Sequence, residues 1–209
     1  MRSALIALAV AALAASSGQA AAPKPAPAAP PAAQDMAMGN PKAKVVIDEY
    51  ASLSCTHCAH FNNEIFPGFK AKYVDTGKVR YVLHEYLTPP ENIAAAGFLV
   101  ARCAGPASYF KVVDAFFRSQ AEMYEKEDLR TPLLAAGKLG GLDEDAVKAC
   151  LANQDQIQAL ETRVQTSIDK GVNATPTFYV NGVKAQEGVM TLDQLDTAIA
   201  QARKPGKKK

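Results

Sequence analysis

The apolar positions of residues 40–203 recur with two periods. Lys44 to Ala51, centred on Val45-Val46-Ile47, reads as a β-strand, and Lys78 to Tyr86 reads as a second. Between them Cys58, Phe61, Ile65 and Phe69 recur at spacings of three and four, the mark of a helix with one buried face. Ser54 is placed to cap this helix, which opens at Cys55. Pro67 should kink or divide it, and Thr76-Gly77 supplies the following turn. A run of helices follows: Asn92 to Cys103, Pro106 to about Gln120, a short one from Thr131-Pro132 to Gly140-Gly141, one capped by Asp143 and running to Leu151, and Gln154 to Lys170, stopped by Gly171. The chain then returns to β structure at Thr177 to Val180 and Val183 to Gln186, joined by Asn181-Gly182, a strong signal for a two-residue hairpin turn. Thr191 caps a last helix carrying Leu192, Leu195 and Ile199 on its apolar face.

This order predicts an α/β fold. A β-α-β unit with a parallel pair and a later β-β-α unit form one mixed sheet covered by helices. An all-helical insertion, residues 89–171, divides the sheet domain into residues 40–88 and 172–203. Phe98, Tyr109, Phe110, Phe116 and Phe117 read as the core of that insertion.

The ends of the chain differ from its middle. Met1-Arg2-Ser3 is a short basic start, and Ala4 to Ala15 is an apolar run of 12 residues, too short for the roughly 20 that cross a bilayer. Small residues before Ala20 suit a processing site, so residues 1–20 read as a cleaved signal peptide and place the mature chain in an oxidising compartment, the periplasm. Residues 21–39 form an Ala/Pro-rich linker, with five prolines between 21 and 33. Residues 204–209 are a basic tail. Residues 36–203 carry 17 Lys+Arg and 20 Asp+Glu, a net charge of −3, so the folded part has no excess of positive charge with which to hold nucleic acid. Nothing in the linker resembles an oligomerisation module, which favours a monomer.

With four cysteines in the chain, each can be weighed singly. Cys55-Thr56-His57-Cys58 is a CxxC motif that follows a strand and opens a helix. Unpaired backbone N–H groups at a helix start stabilise a thiolate at Cys55, and a protonated His57 would add to this. Cys58, one turn later on the apolar stripe, suits a buried resolving thiol. A stabilised thiolate favours the reduced form and makes the disulfide a stronger oxidant. Two other readings exist: a zinc site from Cys55, Cys58 and His57 or His60, which lacks a second pair of ligands, and an inert staple. His60 and His84 read as surface residues rather than ligands. Pro176, just before a strand, is either a cis proline in a tight turn or an ordinary trans proline at a strand entry. In an exported chain, Cys103 and Cys150 are expected to form a structural disulfide.

Together, Cys-x-His-Cys after a strand, Ala174-Thr175-Pro176-Thr177-Phe178 before the hairpin, and the helices between them resemble the DsbA-type thiol:disulfide oxidoreductases of the thioredoxin superfamily. The resemblance covers roughly residues 44–202. It implies a thioredoxin-like fold and an enzyme that needs no cofactor beyond the redox-active Cys55–Cys58 disulfide, and no metal. It implies Cys55 as nucleophile, Cys58 as resolving thiol and His57 as the residue that tunes the potential. It implies Pro176 as a cis proline facing the disulfide, with Thr175 binding an extended substrate segment. Glu49, six residues before Cys55, matches a buried acid able to take a proton from Cys58; by local sequence alone it is equally a solvent-facing strand residue. The implied partners are secreted proteins with thiols and a membrane redox protein of the DsbB type. Thr56 stands where the well-known oxidases of this kind carry Pro, and Thr175 occurs also in isomerases and reductases, so a reductase or isomerase is the alternative. A metal-carrying module using Cys55, Cys58 and His57 is the alternative of another class.

Overall fold

A computed structural model describes residues 36–204, which form a five-stranded mixed sheet and eight α-helices. The expected signal peptide, most of the linker and all of the tail beyond Lys204 lie outside the described residues. The strands are β1 (Met36–Gly39), β2 (Val45–Ala51), β3 (Val79–Glu85), β4 (Thr177–Val180) and β5 (Val183–Glu187), in the order β1-β3-β2-β4-β5. Strands β2 and β3 are parallel, and the other pairs are antiparallel. Between β2 and β3 the chain forms α1 (Thr56–His60) and α2 (Phe66–Phe69), each followed by a π-helical stretch, Phe61–Ile65 and Lys70–Val74. Five helices separate β3 from β4: α3 (Glu91–Cys103), α4 (Tyr109–Lys126), α5 (Arg130–Leu139), α6 (Glu144–Leu151) and α7 (Gln154–Asp169). Helix α8 (Leu192–Ala202) closes the chain.

The paired β2–β3 register places Glu49 beside Leu83 and Ala51 beside Glu85. Alternation then sends Ile47, Glu49 and Ala51, with Tyr81, Leu83 and Glu85, to one face of the sheet. Phe66, Phe69 and Phe110 pack their rings against Tyr81 on that face, 4.8–6.1 Å between centroids. On the other face Tyr50 stacks on His84, whose Nε2 lies 2.9 Å from Asp48. His84 is thus half-buried in the sheet, whereas His60 is exposed.

The Asn181-Gly182 turn has positive φ at both residues, 50° and 79°, as a two-residue hairpin of the right twist requires. Thr191 and Gln194 close a reciprocal capping box at α8, and the Asp143 carboxylate accepts the Ala146 N–H at α6. Gly97 is where α3 passes the loop after β2: a Cβ there would lie 2.6 Å from Leu53 and 3.2 Å from Phe116. Cys103 and Cys150 are joined across α3 and α6. Closing a loop of 47 residues contributes on the order of 4 kcal/mol in the chain-entropy account.

Several boundaries depart from the sequence reading. The sheet begins within the span read as linker: Met36 is buried, and β1 pairs with β3 from Met36↔Leu83 to Gly39↔Arg80. Its Met-Ala-Met-Gly sequence has no β-branched residue, so its order comes from the edge of β3 it covers. Cys55, not Ser54, is the N-cap of α1. The Ser54 hydroxyl is engaged elsewhere, donating to the Thr88 carbonyl at 2.6 Å. Pro67, by contrast, sits in the first turn of α2 and starts a second helical segment as expected, with π-helical stretches on either side. Helix α4 starts at Tyr109, after a turn in which the Ser108 N–H bonds the Gly105 carbonyl, and runs to Lys126, where Glu127 adopts φ 49°. Phe110 is only half-buried, unlike Phe98, Tyr109, Phe116 and Phe117.

Candidate active site

Strand β2 ends at Ala51, and the loop Ser52–Cys55 turns the chain into α1. The Cys55 N–H donates to the Ser52 carbonyl at 3.0 Å, and the Cys55 carbonyl accepts the Ala59 N–H at 3.0 Å, the first helical bond. Cys55 is half-exposed, and Cys58 is fully buried (0% exposed) in the sheet-facing core with Phe61. Both stand as free thiols.

The two thiols are driven apart in acidity. Cys55 is lowered from 9.0 to about 5. The largest cause is a hydrogen bond from the Cys58 side chain, followed among the favourable ones by Thr175 and the backbone N–H groups of Cys58 and His57. The Cys58 thiol is pushed well up by burial first, then by its bond to Cys55 and the charges of Cys55 and Glu49. The helix-start N–H groups expected to stabilise the Cys55 thiolate therefore contribute, but rank behind the neighbouring thiol. His57 contributes its N–H, while its imidazole is exposed.

Strand β4 brings in the second motif. The Thr175–Pro176 peptide is cis, as is Pro89–Pro90 at the start of α3. The Cys55 thiol donates to the Thr175 carbonyl across 3.4 Å. Thr175 Oγ1 is buried and otherwise unpartnered, which leaves it to donate to a Cys55 thiolate. A depression of about 420 Å³ opens beside Cys55 between Thr175, Thr88, Pro89, Pro90 and Tyr124.

Glu49 lies beneath. It is 2% exposed, and its Oε2 accepts the Tyr81 hydroxyl at 2.5 Å. Burial raises its carboxyl from 4.5 to about 8, against the lowering effect of Tyr81 and with a further rise from a charged Cys55. A cavity of about 330 Å³ reaches Glu49 and Tyr81 from the side of Lys111 and Arg118.

Other residues at this site were not singled out in the sequence. Gln120 Nε2 donates to the Leu53 carbonyl at 2.8 Å and the Cys55 carbonyl at 3.2 Å, and the Tyr124 hydroxyl donates to the Ser54 carbonyl at 2.6 Å. Their signal was present: Gln120 interrupts the apolar stripe Val113, Phe116, Phe117, Met123 of α4, where a buried amide needs partners. Glu85 binds Arg102 Nε and Arg163 Nε, each at 2.6 Å, and the Tyr109 hydroxyl at 2.9 Å. Among the described residues no three His, Cys, Asp or Glu gather into a metal-holding group, and no helix is long and apolar enough to cross a membrane.

A strand–CxxC–helix junction facing a cis proline across a mixed sheet defines the thioredoxin class. The thioredoxin family model matches residues 32–201, and the chain belongs to that family, on its DsbA-type branch. A protein of Rickettsia conorii bearing the name protein-disulfide oxidoreductase is 35% identical over 178 residues, 84% of this chain. The chain spans 62% of that relative's length. The crystal structure of Wolbachia pipientis alpha-DsbA1 superposes with a TM-score of 0.73 at 29% identity, covering 82% of this chain and 92% of the other. BdbD from Bacillus subtilis shares the fold, with a TM-score of 0.67 at 18% identity over 82% of this chain and 94% of that one.

Proposed function

We propose that the chain is an exported thiol:disulfide oxidoreductase, a dithiol oxidase that introduces disulfides into secreted proteins. The observation that carries this reading is the split between the two thiols, Cys55 lowered to about 5 and Cys58 raised. A substrate thiolate attacks Cys55 Sγ of the Cys55–Cys58 disulfide. The S–S bond breaks, its electron pair goes to Cys58, and Cys58 takes a proton. Glu49, protonated at neutral pH, is the acid that supplies it, and in the reverse direction it is the base that receives it. A second substrate thiolate then attacks the substrate sulfur of the mixed disulfide, and Cys55 leaves as a stabilised thiolate. The substrate loses two electrons and two protons, and the enzyme keeps both electrons as Cys55 thiolate and Cys58 thiol. Thr175 and Pro176 hold the substrate in an extended form beside Cys55, and His57 tunes the thiolate. No cofactor or metal takes part in these steps. The resemblance to DsbA-type enzymes supports a periplasmic location and reoxidation by a membrane protein of the DsbB type.

The test is the equilibrium of Cys55–Cys58 against glutathione redox buffers, with Cys103–Cys150 followed separately. A potential at the oxidising end of the range from about −120 to −270 mV is expected. One at the reducing end overturns the oxidase and makes the chain a reductase or isomerase. Replacing Cys58 with Ala should trap mixed disulfides through Cys55. Absence of any trapped substrate, with tight copper or zinc binding lost in Cys55→Ser, makes it a metal carrier instead.

A further inference from the structure

The helical insertion meets the redox loop through one face of α4. Gln120 is 2% exposed and stands among Phe116, Phe117 and Met123, yet both hydrogen bonds of its amide nitrogen go to the loop, to the Leu53 and Cys55 carbonyls. Tyr124, one helical turn later, donates to the carbonyl between them, that of Ser54. Three successive carbonyls of a loop outside any helix or strand are thus held by two side chains spaced four apart.

We propose that Gln120 and Tyr124 are positioning residues for Cys55: their three hydrogen bonds fix the loop so that Cys55 stays at the N-cap of α1. The proposal rests on the exchange reaction assigned to Cys55 above. At the N-cap the backbone of Cys55 is extended, with φ −82° and ψ 121°. That conformation directs its sulfur toward the N–H groups of His57 and Cys58 and toward Thr175. The loop is also tied by the Cys55 N–H to the Ser52 carbonyl, by the Ala59 N–H to the Cys55 carbonyl, and by the Ser52 and Ser54 hydroxyls to each other and to Thr88. The Ser54–Cys55 peptide is thus held at both ends, its N–H by the Ser52 carbonyl and its carbonyl by Tyr124, and Gln120 holds the carbonyls on either side. Cys58, by contrast, is fixed by burial in the core and does not depend on the clamp. The insertion therefore takes part in the chemistry by holding the nucleophile in place.

The experiment compares Gln120→Met, Tyr124→Phe and the double variant with the wild type in the whole mature chain. The Cys55 titration is followed by ultraviolet thiolate absorbance and the redox equilibrium against glutathione. Each single variant should raise the Cys55 pKa by about one unit. Its equilibrium with glutathione should become about tenfold less oxidising, or about 30 mV. Tyr124→Phe removes only a hydroxyl, so it keeps the test readable if the double variant folds poorly. Val112→Ala is the control. Val112 is buried on the same helix, eight residues or about 12 Å before Gln120, and packs toward Gly140. It should lower the melting temperature and leave the titration alone. A wild-type Cys55 titration in the double variant overturns the clamp, as does an equal shift in Val112→Ala. A wild-type chain that does not exchange with glutathione at all overturns the reaction the clamp serves.

Discussion

Glu49 and Glu85 stand two register steps apart on parallel neighbouring strands, on the same face of one sheet, 2% and 1% exposed. They differ in what meets them. Glu85 receives two guanidinium Nε–H groups and a phenol, all within 2.9 Å. Glu49 receives the Tyr81 hydroxyl and faces a second acid, the Cys58 thiol. A buried carboxylate is tolerated when opposite charges surround it, and is otherwise held in its neutral form. Equal burial therefore yields a fixed ion pair joining β3 to α3 and α7 at one position, and a carboxyl raised to about 8 beneath Cys55 and Cys58 at the other.

Removing each carboxylate should have opposite consequences. Glu85→Gln leaves Arg102 and Arg163 buried opposite a neutral amide and should cost about 3–5 kcal/mol in denaturant unfolding. It should leave the Cys55 titration in place; a shift there would break the division of roles. Glu49→Gln should stabilise instead. The folded carboxyl is raised to about 8 and the unfolded one sits near 4.5, so the native state holds the extra proton between these values. Wild-type stability from this group is therefore present at low pH and lost as pH rises from 4.5 toward 8. The variant escapes that loss, gaining on the order of 4 kcal/mol relative to wild type by pH 9. It should also slow the step in which Cys58 gains or loses its proton by about 100-fold.

Cys55 has the opposite sign. Its folded value is depressed, so the reduced protein gains stability that is lost as pH falls through about 5. At neutral pH the reduced form should exceed the oxidised one by about 2 kcal/mol, a figure discounted for solvent screening of a half-exposed sulfur. Thermal melts of both redox forms at pH 7 and pH 5 check this, and a higher melting temperature for the oxidised form at pH 7 would contradict it. The smallest effect is expected at His57, whose ring is exposed. His57→Ser should raise the Cys55 pKa by less than about one unit, and an unchanged titration removes the imidazole from the mechanism.

Most of the elements were legible because each carries a local signal. Strand β4 was read with its observed bounds, and the Asn181-Gly182 turn, the caps at Asp143 and Thr191, and the stripe through Cys58, Phe61 and Phe69 all lie where local pattern put them. Strand β1 was illegible, since its reason is the open edge of β3 and not its own four residues. The CxxC and Thr175-Pro176 pair could be read because each is contiguous, although the cis form of Pro176 could not be chosen over trans from neighbours alone. The long-range groups were hidden. Glu49 could face in or out until Tyr81 and Phe178 were placed around it. The triad of Glu85 with Arg102 and Arg163 joins residues 17 and 78 positions apart, a coincidence no periodicity encodes. Gln120 was the exception, a polar residue in an apolar stripe whose partners lie 67 and 65 positions away.

The most direct test of the account is the ultraviolet titration of the Cys55 thiolate in the reduced wild-type chain. A transition near pH 5 is expected, with Cys58 staying protonated well above neutrality. A transition near 9, the ordinary value for a thiol, would contradict it: Cys55 would then be neither a ready nucleophile nor a good leaving group.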